Sequence, residues 1–283
     1  MLFLCPVCGE KGRLGLRCKE ADIYRCPGCD HCFSDYDSII DHENYGQDYF
    51  EERHRNFFKY PDLRLYGKIA SYISAFKVNA SVIDLGCGRG EFLKFLRKKN
   101  AQLSLTGIDL ANKPEADGID FLRGDVLTAP FDEQFDVVTC IEVIEHLPDI
   151  QRFMSRMNKL CKPGGLVIIG TINDRSIVYD IARLLFYFGF KSPCERLYDK
   201  HHLNHFNLAS LKYFVNKNNY SIIKTIFHNN PIVSVDFPNN NAPKWMICIF
   251  RIFLRIMFFL SILSKRTILQ TIICKHQNKL SKS

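Results

Sequence analysis

Several features that would narrow the function are missing from this sequence, and their absence excludes some classes of protein. Its 283 residues contain no internal repeat and no low-complexity tract. Residues 1–6 provide neither the basic region nor the apolar core of a secretory signal, so we expect a cytoplasmic protein. Positive charge is only in mild excess, at a formal net +8, and weakly favours an anionic partner such as nucleic acid or a lipid surface.

The twelve cysteines also lack the distribution of a disulfide framework. Six lie within the first 32 residues and the others are scattered singly. What remains is ordinary for a folded protein, with 47% hydrophobic and 24% charged residues. The length allows one large α/β domain with a small accessory module, or two modest domains.

The clustered cysteines form two Cys-x-x-Cys knuckles. Four thiolates on two tight turns give the tetrahedral sulfur ligation that suits zinc. The predicted ligands are Cys5, Cys8, Cys26 and Cys29, with Cys18, His31 and Cys32 nearby as substitutes. A site closed by four ligands has no open position for substrate, which favours a structural zinc over a redox Cys-x-x-Cys pair.

The chain divides into three predicted parts. Residues 1–36 are predicted to form a zinc ribbon, 37–79 a helical connector, and 80–283 the main domain with an apolar helical insertion at 244–264. Within 80–171, short β-branched runs alternate with longer amphipathic ones, a pattern typical of a parallel sheet with crossover helices. The predicted strands are 81–85, 103–109, 119–122, 135–141, 166–171, 221–227 and 267–275. We therefore expect an α/β fold with a Rossmann-like seven-stranded sheet.

A glycine turn follows the first of these strands, in Asp84-Leu85-Gly86-Cys87-Gly88-Arg89-Gly90. Glycines let the backbone turn sharply and approach a ligand at the carboxyl edge of the sheet. Asp109 ends the second strand, close to where a ribose hydroxyl needs a carboxylate acceptor. Glu91 stands where a dinucleotide-binding turn has its third glycine, and its charge would repel a pyrophosphate. The turn therefore favours a cofactor without phosphate.

Residues 82–90 resemble the first motif of class I S-adenosylmethionine-dependent methyltransferases, and four later motifs follow in that family's order. They are Gly107-Ile108-Asp109, Gly124-Asp125-Val126, Phe135-Asp136-Val137-Val138 and Leu160-Cys161-Lys162-Pro163-Gly164-Gly165. The resemblance covers roughly residues 45–230 and implies S-adenosylmethionine as cofactor. It implies that Asp84 is a further cofactor-binding residue and that the other contacts are as follows: Gly86 and Gly88 at the methionine part, Asp109 at the ribose, Leu110, Asp125 and Val126 around the adenine, and Ile141 under the cofactor. Each glycine alone also fits an ordinary strand-to-helix turn.

The fourth predicted strand is followed by Glu142-Val143-Ile144-Glu145-His146, which places two carboxylates and an imidazole at the edge an acceptor would approach. His146 is the predicted general base, because an imidazole titrates near neutrality. The pattern also resembles metal-dependent O-methyltransferases, including those of ubiquinone biosynthesis and of small-RNA 3′-end methylation. That resemblance implies a second divalent metal at Glu142, Glu145 and His146, with His205 as a further histidine. The alternative is that Glu145 and His146 only cap and position the next helix.

Residues 245–263 approach membrane-spanning length, but Arg251 and Arg255 interrupt them on one helical face. A single span is excluded if 267–275 returns to the sheet. Two alternatives remain open. The segment is either a helix on the inner face of the membrane, which suits a lipid-linked acceptor, or a cap buried on the fold or on a partner subunit.

Three functions of different classes fit these features. The favoured one is a methyltransferase acting at oxygen on a small-molecule, glycan or lipid-precursor acceptor. The alternative is an RNA methyltransferase whose ribbon and positive charge hold phosphates, although the ribbon has no basic-aromatic tract and the fourth motif no Asn-Pro-Pro-Tyr sequence. A non-catalytic binding protein is disfavoured, because every cofactor motif is intact.

Overall fold

The computed structural model describes residues 3–35, 59–110, 116–131, 133–235 and 243–277. Most of the predicted connector, 37–58, lies outside the described residues. In chain order the strands are β1 (Arg13–Arg17), β2 (Asp22–Arg25), β3 (Cys32–Ser34), β4 (Ser81–Leu85), β5 (Ser104–Asp109), β6 (Ile119–Arg123), β7 (Phe135–Ile141), β8 (Cys161–Ile172), β9 (Asn204–His205), β10 (Tyr220–His228) and β11 (Leu269–His276). The helices are α1 (Leu63–Phe76), α2 (Glu91–Lys99), α3 (Ile150–Leu160), α4 (Ile177–Tyr187), α5 (Ser192–Leu197), α6 (Leu208–Lys217) and α7 (Lys244–Leu263).

Within the described ranges, the larger sheet has seven strands in the order β10-β11-β8-β7-β4-β5-β6. Strands β4 to β8 run parallel, whereas β11 is antiparallel to both of its neighbours, β8 and β10. The inner strands are buried almost throughout, as in β7, because helices cover both faces of the sheet. The predicted Rossmann-like α/β fold is confirmed.

The strand order reverses beside β4. After β4 the chain adds β5 and β6 on one side and then places β7 and β8 on the other. Open α/β sheets bind ligands in the crevice that such a reversal leaves at the carboxyl ends of the strands. Asp84 is in register with Gly107 on β5 and with Thr139 on β7, so the predicted cofactor motifs meet at this edge.

Two apolar layers hold the helices on the sheet. On one face α1 and α2 bury residues such as Ile69 and Leu93 against β4 and β5. On the other face α3 and α6 bury residues such as Phe153 and Phe214. Phe153 is completely buried, and burial of a side chain of this size stabilises the fold by about 1.5–3 kcal/mol.

The smaller sheet joins the N-terminal ribbon to the main domain. Its order is β1-β2-β3-β9, and β9 comes from far along the chain, with Cys32 paired to His205 and Phe33 to Asn204. Cys5 and Phe33 share one apolar core with Phe153. The ribbon is therefore part of the same packed body.

Helix α7 lies between β10 and β11 and within the predicted insertion. Among the described helices it alone is long and apolar enough to cross a membrane, by length and composition only, with a mean hydropathy of 2.3 over its most apolar window. Only 22% of that window is buried. Its buried residues are Met257, Phe258 and Ser261.

Candidate active site

The glycine turn after β4 is shaped by three glycines with positive φ, at +77° for Gly86, +55° for Gly88 and +74° for Gly90. The amides of Gly86 and Cys87 donate to the Ile108 carbonyl at 2.8 and 3.0 Å, which ties the turn to β5. A Cβ on Gly86 would lie 2.3 Å from Cγ2 of Val143. Glycine is therefore required at position 86 both by backbone conformation and by the close approach of the loop after β7.

Two carboxylates lie beside this turn in different surroundings. Asp109 accepts a hydrogen bond from the Gly88 amide at 2.8 Å and remains half-buried. Asp84 is buried behind the turn, where it accepts from the Thr139 hydroxyl at 2.6 Å. Burial raises the pKa of Asp84 to about 6. Of the two, Asp109 is the one that a ligand at the sheet edge can reach.

The predicted adenine side is assembled from the ends of β5 and β6. The Gly124 amide donates to the Asp109 carbonyl at 2.9 Å, which brings the loop after β6 next to Leu110. Leu110 is 49% exposed, whereas Val126 is buried. Asp125 turns its carboxylate back to accept from the Leu127 amide at 2.8 Å. The arrangement offers an apolar surface beside Asp109.

Glu142 follows half-buried Ile141 at the end of β7 and has an unusual backbone conformation. Its φ is +57°, a left-handed value that costs a residue with a Cβ about 1–2 kcal/mol. Its amide donates to the Gly170 carbonyl at 2.8 Å, and no side chain in the described ranges hydrogen-bonds to its carboxylate. Burial, and then the charges of Glu145 and Asp62, raise the pKa of Glu142 to about 8. Residues held in such conformations cluster at functional sites.

Glu145 and His146 are held by the surrounding chain. Glu145 is buried and accepts from the Thr171 hydroxyl at 2.9 Å. Nδ1 of His146 lies 2.8 Å from the His201 carbonyl, which can only accept, so Nδ1 carries the proton. Burial lowers the pKa of His146 to about 3, which leaves its imidazole neutral and only weakly basic at physiological pH.

Three further residues at this edge were missed by the sequence analysis. Asp62 caps α1 and lies 3.5 Å from Nδ1 of His228 at the end of β10. Tyr66, on α1, packs its ring against Phe92 at 5.0 Å. Burial is the main cause that raises the pKa of Tyr66. Negative charges raise it further, in the order Asp84, Glu142, Glu91 and Asp62. The only sequence signal for Tyr66 was its place in the predicted helical connector, 37–79.

A family model described as a methyltransferase domain matches residues 46–225, well over half of the chain. The chain belongs to the methyltransferase family. Two relatives, both ubiquinone biosynthesis O-methyltransferases, are similar over part of it. The one from Pseudomonas entomophila is 34% identical over 113 residues, and the one from Stutzerimonas stutzeri is 36% identical over 113 residues. Each match covers 36% of this chain and 48% of the relative, about half of its length.

Solved methyltransferase structures share the fold. Magnesium protoporphyrin IX methyltransferase from Synechocystis, solved with bound S-adenosylhomocysteine, aligns over 86% of this chain and all of its own with a TM-score of 0.52 and 13% identity. A Galdieria sulphuraria structure, described as a sarcosine dimethylglycine methyltransferase, aligns over 76% of this chain and 86% of its own with a TM-score of 0.51 and 16% identity. These likenesses place the chain among class I methyltransferases by fold.

Two predictions for this methyltransferase are corrected by the geometry. His205 is completely buried in β9, with Nε2 bonded to the Ser34 hydroxyl at 3.2 Å, so it cannot contact an acceptor. In the described part of the chain, the one convergent set of three or more metal-ligating residues is the four ribbon cysteines. Glu142, Glu145 and His146 do not form such a set, because Glu145 is turned to Thr171 and His146 to the His201 carbonyl. A second metal has no support there.

The ribbon cysteines of this methyltransferase converge as their spacing predicts. The sulfurs of Cys5, Cys8, Cys26 and Cys29 all lie within 4.8 Å of one another. Sulfurs bound tetrahedrally to one zinc at 2.3 Å would be about 3.8 Å apart. The four thiols therefore fit a single zinc ion. Cys18, His31 and Cys32 do not belong to this set.

The loop between Cys5 and Cys8 is attached to the main domain through its backbone. The side-chain Nε2 of Gln151 donates to the Pro6 carbonyl at 2.7 Å, and Lys217 Nζ donates to the Val7 carbonyl at 3.4 Å. Deeper in the seam, Arg25 pairs with buried Asp174 at 2.7 Å. One side of the ribbon is thus occupied by the methyltransferase domain itself.

Proposed function

We propose that this chain is an S-adenosylmethionine-dependent methyltransferase that acts at oxygen on a small-molecule, glycan or lipid-precursor acceptor. The observation that carries the proposal is the pair of carboxylates at the glycine turn: Asp109, which accepts from the Gly88 amide at 2.8 Å, and Glu91, which begins α2. Carboxylates close together favour a cationic ligand and oppose a pyrophosphate. S-adenosylmethionine carries a sulfonium cation and no phosphate, so the acidic edge fits it better than a dinucleotide.

The residues of the edge have distinct roles in holding this cofactor, which supplies an electrophilic methyl group when bound. The glycine turn lets the backbone lie close to the methionine part of the cofactor, because Gly86, Gly88 and Gly90 have no side chain and adopt positive φ. Asp109 accepts hydrogen bonds from the ribose hydroxyls, and Asp84 supports the turn from behind through Thr139. The side chains proposed to border the adenine and the cofactor's underside are Leu110, Asp125, Val126 and Ile141.

Glu142 is the proposed general base, in place of His146. A base works best when its pKa lies near the working pH, and that of Glu142 is raised to about 8. The carboxylate takes the proton from the acceptor hydroxyl, which leaves an oxygen lone pair free to accept the methyl group. His146, with Nδ1 committed to the His201 carbonyl, positions the loop between β7 and α3. Glu145 does the same through Thr171.

The ribbon is proposed to bind a structural zinc at Cys5, Cys8, Cys26 and Cys29. Support comes from the convergence of the four sulfurs, which leaves no open coordination position for substrate. All twelve cysteines lie in the described ranges and none is in a disulfide, which supports a reducing compartment such as the cytoplasm.

The test is transfer of labelled methyl groups from S-adenosylmethionine into small-molecule, lipid, glycan and RNA fractions of a cell extract, with Gly86→Ala as the background control. We expect label in the small-molecule, lipid or glycan fraction with the parent protein alone. Label confined to RNA would overturn the acceptor class and favour the RNA methyltransferase. Equal labelling by the parent protein and by Gly86→Ala would contradict a role for the glycine turn in binding the cofactor.

A further inference from the structure

Helix α7 presents a continuous apolar stripe to solvent. The stripe runs along its whole length at alternating spacings of four and three residues, so its members share one helical face. Their exposures are 64% for Trp245, 57% for Ile249, 48% for Ile252, 54% for Ile256, 62% for Phe259 and 66% for Leu263. A 20-residue helix is about 30 Å long. Contiguous apolar surface on this scale marks an interaction site more often than chance exposure.

The other faces of α7 have different chemistry. Met257, Phe258 and Ser261 point to the protein, and Asn229 fixes the helix by donating to the Ser261 hydroxyl at 2.9 Å. Lys244, Arg251 and Arg255 lie on one flank, between the protein side and the apolar stripe. No acidic residue occurs in Lys244–Leu263. The helix thus combines an outward apolar face with a purely cationic flank.

A second exposed apolar group belongs to a helix that contacts α7. At the end of α4 and in the turn after it, Tyr187 is 74% exposed, Phe188 72% and Phe190 67%. Lys191 follows directly and lies over the Phe186 ring at 5.7 Å. Two neighbouring helices therefore expose aromatic side chains accompanied by lysine or arginine.

This combination fits an anionic lipid surface. Basic side chains reach headgroup phosphates while the apolar face enters the acyl boundary, with aromatic rings at the interface. A spanning orientation does not fit, because β10 and β11 are adjacent strands of one sheet and the chain would have to cross the bilayer twice. One crossing would be made by residues 229–243, which include Asp236 and Asn239-Asn240-Asn241 and are costly in hydrocarbon.

The anchored side of α7 lies next to the acceptor edge. Asn229, which binds Ser261, directly follows His228, and His228 lies 3.5 Å from Asp62. Asp62 is one of the two charges that raise the pKa of Glu142. Contacts through Asn229, His228 and Asp62 therefore link the protein side of α7, opposite its apolar stripe, to the acceptor edge.

We infer that α7, together with the Tyr187 to Phe190 turn, docks this methyltransferase peripherally on an anionic bilayer, from which an acceptor with an apolar tail reaches Glu142. The source of the acceptor rests on the proposed function, whereas the docking does not. A failure of the docking inference can therefore be distinguished from a failure of the proposed function.

The experiment uses Trp245, which is the single tryptophan of the chain. Vesicles of equal phosphatidylcholine and phosphatidylglycerol are added to the full-length protein without cofactor or acceptor. We expect a blue shift of Trp245 emission, quenching by brominated lipid, and co-sedimentation. Ile249→Asp combined with Ile256→Asp should lower the partition coefficient at least about ten-fold. Arg251→Gln combined with Arg255→Gln should lower it roughly 30-fold on anionic vesicles, with little change on pure phosphatidylcholine.

The control variant carries Val78→Asp and Ile223→Asp, two apolar residues that are 58% and 49% exposed outside α7. It should bind vesicles as the parent does. Unchanged Trp245 emission with no co-sedimentation would overturn the inference. So would a dimer that shields Trp245 in the absence of lipid, since a second copy would then cover the stripe. Resistance to alkaline carbonate extraction would show a span instead.

Discussion

Replacement of Gly86 by alanine tests the cofactor turn at its most constrained point. At φ +77° an alanine costs about 1–2 kcal/mol, and its methyl group would lie 2.3 Å from Cγ2 of Val143. Val143 has little rotamer freedom, so relief requires movement of the loop after Glu142, at about 1–3 kcal/mol. The free energy of unfolding should therefore fall by about 2–5 kcal/mol.

Val143→Ala separates the two contributions, because it removes both γ carbons that an alanine at 86 would meet. The double variant should recover the steric part and remain only about 1–2 kcal/mol below Val143→Ala alone. Urea unfolding measures each corner of this cycle, and calorimetry measures S-adenosylmethionine affinity in parallel. A Gly86→Ala protein with parental stability and affinity would refute the close approach. Additive effects of the two substitutions would refute Val143 as the residue that opposes a Cβ at position 86.

Three further outcomes follow from the structure. Glu142→Gln should lower kcat by about 10²–10⁴-fold. It should also abolish the rise of the rate with pH through about 8, because the base acts only when it is ionised. A parental pH profile in the variant would exclude Glu142 as the base. Purified protein should contain about one zinc per chain. Cys29→Ser should lose this zinc and lower Tm, whereas Cys248→Ser, which replaces an exposed cysteine on α7, should do neither. Zinc far below one equivalent in the parent protein would contradict the zinc site. Asp174→Asn should lower the free energy of unfolding by about 1.5–3 kcal/mol, because Arg25 and Arg183 lose their buried carboxylate partner and keep only the more exposed Asp30 and Asp180. A loss below about 1 kcal/mol in urea unfolding would contradict a structural role for Asp174.

The sheet could be predicted because its signal is local. The β-branched run at 81–85 coincides with β4, and the predicted strand at 267–275 corresponds to Leu269–His276. Predicted strand 166–171 is longer in the structure, as Cys161–Ile172, because Cys161 pairs with Phe135 ahead of the glycine pair. Burial on both faces of a sheet leaves a continuous apolar pattern that needs no knowledge of neighbours.

The proposed acid–base assignment could not be reached from the sequence, because it depends on contacts between distant segments. His146 was preferred for its ordinary pKa, but burial makes it a weak base, and the His201 carbonyl holds its Nδ1. The pKa of Glu142 depends partly on Asp62, which lies far earlier in the chain. His205 was assigned to catalysis because nothing local shows that it pairs with Cys32 in the ribbon sheet.

Calorimetric titration of the full-length protein with S-adenosylmethionine tests the central claim most directly. The structure predicts one binding site per chain and an affinity at least about ten-fold weaker in Asp109→Ala, since that carboxylate both holds Gly88 and is proposed to accept the ribose hydroxyls. NADH should not bind, because the carboxylates at the turn oppose a pyrophosphate. Absence of S-adenosylmethionine binding by the folded, zinc-loaded parent protein, or binding of NADH in its place, would contradict the account.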